Sequence, residues 1–212
     1  MNLDDDDRPP ATPAETLLLI QRQQAETARR LSPDPRLVYW PWGLAWLIGF
    51  GLFFLRFGPD DRVFVDLPDW LPLTGLFVLL TAAAVISGVS GARAYGQVTG
   101  DSSRRGQWYG LAWSLGFFSY GAILSQVTDH LPDDLARLLW AAVAVFLTGV
   151  LHLAGGAIWL DRSLFRLGVW LIVINVVGVY AGPGWHALVV AVAGGGGMLI
   201  GGTVAWLNSN RS

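Results

Sequence analysis

The 212 residues contain no cysteine and no lysine, and only 14% are charged. Without cysteine there are no disulfides, no thiol nucleophile, no iron–sulfur cluster and no thiolate zinc site. Without lysine there is no Schiff-base chemistry and no phosphate-loop lysine, since all 14 basic residues are arginine. The charge content is well below the roughly 25% of a soluble domain. What fills its place is apolar: 53% of residues are hydrophobic and the mean hydropathy is +0.45. The chain reads as a membrane protein.

A span needs about 20 mainly apolar residues. Six stretches reach that length, approximately 39–57, 71–92, 108–127, 135–160, 164–180 and 186–207. Of the 11 tryptophans, Trp40, Trp42, Trp70, Trp108, Trp159, Trp185 and Trp206 fall at their ends, as an interfacial belt requires. Eleven arginines lie in the N-terminal segment, the second and fourth loops and the C-terminal tail, against three (Arg56, Arg62, Arg137) on the opposite face. The positive-inside rule then places both termini in the cytoplasm, and the expected location is a bacterial inner membrane.

Residues 1–11 are acidic and proline-bearing, lack the apolar core of a signal peptide, and read as a disordered tail. Thr12-Pro13-Ala14-Glu15 has the form of a capping box, and predicts a short cytosolic amphipathic helix over 12–31. Its one apolar patch, Leu17, Leu18 and Ile20, is expected to dock on the bundle, on the lipid surface or on a partner.

Trp42–Phe50 (WGLAWLIGF) and Tyr109–Phe117 (YGLAWSLGF) share six residues at a fixed offset of 67, and each helix is followed by an outer Leu-Pro-Asp. With Gly168-Val169-Trp170 as a diverged third copy, the transmembrane domain (36–208) is expected to be three parallel two-helix hairpins, about 39–96, 106–160 and 164–207. Small residues recur every fourth position, as Ala84, Gly88, Ala92 and Gly96 and as Ala193, Gly197, Gly201 and Ala205, with Gly156 in the fourth helix. Such stripes predict close helix crossings in lipid. A glycine run at 194–197 is also consistent with a broken helix lining a site. The plan resembles that of mitochondrial carriers, but their Pro-x-acid-x-x-base signature is missing and no site transfers.

His152 is the one ionisable residue predicted to lie well inside a span. Asn175 is expected at similar depth, with Thr81, Ser119, Tyr120 and Thr148 near that level. These residues form either a polar ring around a path for a proton or small solute, or simple packing hydrogen bonds in which His152 pairs with Asn175. His130 and His186 are placed at the outer boundary, which argues against bis-histidine haem, and the outer aspartates have no calcium-loop spacing. No HExxH, GxSxG or phosphate-loop pattern is present, so no enzyme, cofactor, metal or nucleic-acid role is expected. The leading expectation is a transporter or channel, or a subunit of one, possessing lipid and membrane-partner or homo-oligomeric contacts. The alternative is a non-transporting anchor, sensor or regulator acting through its N-terminal helix.

Overall fold

The computed structural model describes residues 12–14, 16–20, 22–23, 34–95 and 100–209. The acidic tail, Glu15 of the capping box, residues 24–31, Gly96 and Arg211 lie outside these. Among the described residues there are helices and no strands. The segment at 13–23 is helical where described, with the Thr16 N–H and hydroxyl both donating to the Thr12 carbonyl.

α1 spans Pro35–Arg56, with Asp34 as its N-cap accepting from the Arg36 N–H and Pro35 in the first turn, where a missing N–H costs nothing. α2 spans Trp70–Tyr95, α3 Asp101–Val127 and α4 Asp133–Trp159. α5 (Arg162–Ala181) begins at Asp161, whose carboxylate accepts from the Ser163 and Leu164 N–H groups. The last rod comprises α6 (Trp185–Val189), a π-helical turn (Val190–Gly195) and α7 (Gly196–Ser209). The glycine run therefore widens the helix without breaking it.

Five helical stretches are long and apolar enough to cross a membrane: Pro35–Arg56, Trp70–Arg93, Asp133–Trp159, Arg162–Ala181 and Trp185–Leu207. This is the make-up of an all-α membrane protein. The third expected stretch, in α3, is not among them: at 27 residues the helix has the length but not the hydropathy. Its apolar part carries Trp108, Tyr109, Trp113, Ser114, Ser119, Tyr120 and Ser125, residues that suit an interface or a neighbouring helix better than bare lipid.

The rod is central. α1 packs on one side of it and α5 on the other, α4 packs on α5, and α2 and α3 flank α1 and α4 respectively. The core is Ala45, Trp46 and Phe50 of α1, Val145, Leu171, Ile174, and Val190, Ala191 and Met198 of the rod. Two seams close on bare backbone. A Cβ on Gly195 would sit 2.5 Å from the Leu47 nitrogen, and one on Gly156 would sit 2.6 Å from the Phe165 nitrogen. Glycine is what lets these helices touch in a medium that gives no hydrophobic drive between them.

Candidate functional site

Asn175 and His186 are the buried polar residues of the bundle, 6% and 2% exposed. Asn175 lies on α5 and donates through Nδ2 to the Ala142 carbonyl of α4 at 3.0 Å. That carbonyl can only accept, so the amide oxygen of Asn175 faces the other way. There it meets His186 Nε2 at 2.9 Å. Nε2 must then carry the proton and donate, which fixes the tautomer by elimination. One amide thus joins α4, α5 and α6.

Two local features bring His186 inward. The turn Gly182-Pro183-Gly184 has φ of +94° and +78° at its glycines, a conformation that side chains resist, and a Cβ on Gly184 would collide with Pro59 in the turn that follows α1. Gly178, one turn beyond Asn175, leaves the space that the imidazole fills, since a Cβ there would lie 2.8 Å from His186 Cδ2. His186, the second residue of the last apolar stretch, is thus buried against Asn175, a pairing not expected from the sequence. The sequence signal was present in this Gly-Pro-Gly turn beside a histidine.

His152 does not pair with Asn175. Its Nδ1 donates to the Thr148 carbonyl of its own helix at 2.8 Å, and its ring stands edge-on to Trp113 of α3 with centroids 5.5 Å apart. The rise per residue gave both side chains a similar depth, but α4 turns His152 toward α3 and α5 turns Asn175 toward α4 and α6. The other members of the expected ring also disperse. Thr81 is exposed and bonds the Phe77 carbonyl, Thr148 bonds Ala144 of its own helix, Ser119 is exposed, and Tyr120 donates to the Trp140 carbonyl at 2.6 Å. Every buried side-chain nitrogen and oxygen among the described residues has a partner.

The small-residue positions divide in the same way. Gly156 is at a closed seam and Gly197 lies against the Trp170 indole, whose Nε1 donates to the Ala193 carbonyl of the π turn. Gly88 and Gly201 face open space. Leu17, Leu18 and Ile20 are exposed, so the patch is not covered by the bundle. No group of three histidines or carboxylates that could hold a metal occurs among the described residues. Comparison of the chain with known protein families, with curated proteins and with solved structures finds no match.

Proposed function

We propose that the chain is a non-transporting module of a bacterial inner membrane, an anchor, sensor or regulator that recruits a partner through its N-terminal helix. The observation that carries this reading over transport is the closure of the interior polar groups: Asn175 and His186 satisfy each other and Ala142, and His152 turns back onto its own helix. A path for a proton or solute needs polar groups left available along it. The exposed Leu17, Leu18 and Ile20 supply the recruiting surface.

Six crossings with both termini cytoplasmic remain part of the proposal. α3 lies antiparallel along the whole of α4, from Tyr109 beside Trp159 to Tyr120 beside Trp140, so a membrane that contains α4 surrounds α3 as well. The arginine asymmetry sets the orientation. The three-hairpin repeat rests on the recurrence of Gly-Leu-Ala-Trp and Gly-Phe at the offset of 67; Trp46–Phe50 and Trp113–Phe117 share a centroid distance, 5.6 and 5.8 Å, but the first pair is edge-on and the second stacked.

Two measurements test the function. Purified protein in liposomes should pass protons and small ions no faster than empty vesicles. Crosslinking in native membranes should yield a partner that is lost when Leu17, Leu18 and Ile20 are changed to serine. Saturable flux that Asn175→Leu abolishes would overturn the proposal.

A further inference from the structure

α3 and α4 meet through rings, with the phenol of Tyr109 seated on Gly155, and beside this contact a gap remains at their Arg-rich end. Tyr109 and Trp113 hold the two helices apart, the first donating to the Leu151 carbonyl at 2.6 Å and standing edge-on to Trp159. Beside them opens a groove of about 500 Å³. Ala112 of α3 and Ala154 of α4 give it width, Trp108 and Ile158 give it apolar walls, and Arg105 stands at its mouth. Arg105 is exposed and makes no ion pair among the described residues, and no carboxylate lines the groove.

We infer that this groove binds an anionic phospholipid of the cytoplasmic leaflet, with the phosphate at Arg105 and acyl carbons over Ala112 and Ala154. The inference rests on the orientation proposed above, which puts Arg105 on the cytoplasmic side. The charge decides the occupant. An arginine without an ion pair among the described residues, at the cytoplasmic end of an otherwise apolar groove, is matched by an anionic headgroup with its acyl chain, and the volume falls in the ordinary range for a ligand site. A free phosphate would leave the apolar walls wet. A partner helix would have to bring a carboxylate to the bilayer edge to meet Arg105, whereas the lipid carries headgroup charge and hydrocarbon in one molecule.

Native mass spectrometry of the full chain in neutral detergent, with phosphatidylglycerol and phosphatidylcholine of matched chains, tests this directly and does not depend on orientation, which reporter fusions read separately. The expected result is preferential retention of phosphatidylglycerol. Arg105→Gln should weaken that retention about fivefold, the worth of one arginine near an anionic surface, while neighbouring Arg104→Gln has a smaller effect. Ala154→Leu should fill the groove and displace the lipid. If that variant lowers the thermal midpoint, Arg105→Gln, an exposed change, still decides. Equal retention of the two lipids, an unchanged Arg105→Gln, equal effects of Arg104 and Arg105, or a second copy of the chain displaced by Ala154→Leu in place of lipid would each overturn the inference.

Discussion

Gly43 to Phe50 on α1 and Gly110 to Phe117 on α3 share their glycines, Leu, Ala, Trp and Phe, yet they stand in opposite surroundings. In the first copy Ala45, Trp46 and Phe50 are core, Gly43 is pressed on the Gly195 carbonyl and Leu199, and Gly49 on Leu76. In the second, Trp113 is half-buried against His152, Gly110 faces open space, and Gly116 touches Leu147 only at ordinary distance. The difference lies in the partner. α1 meets the π turn, whose Gly194 and Gly195 admit the Trp46 ring and the Leu47 backbone, whereas α3 stands at the edge with α4 as its main neighbour. The same local sequence is a core seam where the glycines of the π turn face it and a half-exposed surface where α4 is its main neighbour.

The hardest way to break that contrast is to remove the ring. Trp46→Ala should cost about 3–5 kcal/mol, the usual penalty for emptying a packed aromatic site, read as a large fall in the thermal midpoint in detergent. Trp113→Ala should cost much less, because its surroundings are already open. Equal losses would mean that the two copies are packed alike.

Adding volume tests the same contrast from the other side. Gly43→Leu places a side chain where even a Cβ would lie 2.9 Å from the Gly195 carbonyl oxygen and from Leu199 Cγ, and overpacking of this kind costs about 1–3 kcal/mol. Gly110→Leu, with nothing within 4 Å, should leave the midpoint unchanged or raise it slightly, since leucine is the better helix former.

The polar residues behind each copy should differ as well. Asn175→Leu removes the amide that joins Ala142 to His186, and should cost about 1 kcal/mol, within the range of interhelical hydrogen bonds in membranes. His152→Leu removes only a bond to its own helix, whose carbonyl stays in the helical ladder, so its effect on the midpoint should be small. A larger loss at His152 would restore it as an interhelical anchor.

Helix positions and the tight glycine crossing at Gly156 were legible because length, hydropathy and spacing along the chain determine them. Which way a side chain faces was not. A rise of 1.5 Å per residue gives depth, but a helix turns 100° per residue, and azimuth depends on neighbours chosen only when the bundle forms. That is why His152 and Asn175 share a depth and do not meet. The role of His186 was missed for a related reason: its place beside Trp185 gives its position along the span, and only the Gly182–Gly184 turn and the space at Gly178 direct it onto Asn175. Gly88 and Gly201 show the limit of spacing alone, since a stripe of small residues permits a close approach and supplies no helix to make it.

The smallest expected effect lies where the two copies begin. Asp34 caps α1 and holds Arg36, whose Nη2 lies 2.8 Å from the carboxylate and whose guanidinium covers the Trp206 ring at 4.7 Å, so the start of α1 is tied to the end of α7. At the repeat offset of 67, Asp34 corresponds to Asp101 but Arg36 to Ser103, and α3 has no equivalent clamp. The hydrogen bond from the Arg36 guanidinium holds the Asp34 carboxyl below its ordinary value of 3.8, outweighing the opposing effect of partial burial. A carboxyl whose folded pKa is depressed stabilises the fold above its unfolded pKa and loses that contribution as pH falls through the folded value. Asp34→Asn should therefore lower the thermal midpoint slightly at neutral pH, and the gap from the unaltered chain should close on acidification below about 3.8. The pair is half-exposed, so salt should shrink the gap too. Asparagine can still accept from the Arg36 N–H at the cap, so a gap that persisted unchanged in acid would not come from the carboxylate charge, and would remove the charge pair from the account of why α1 is anchored and α3 is not.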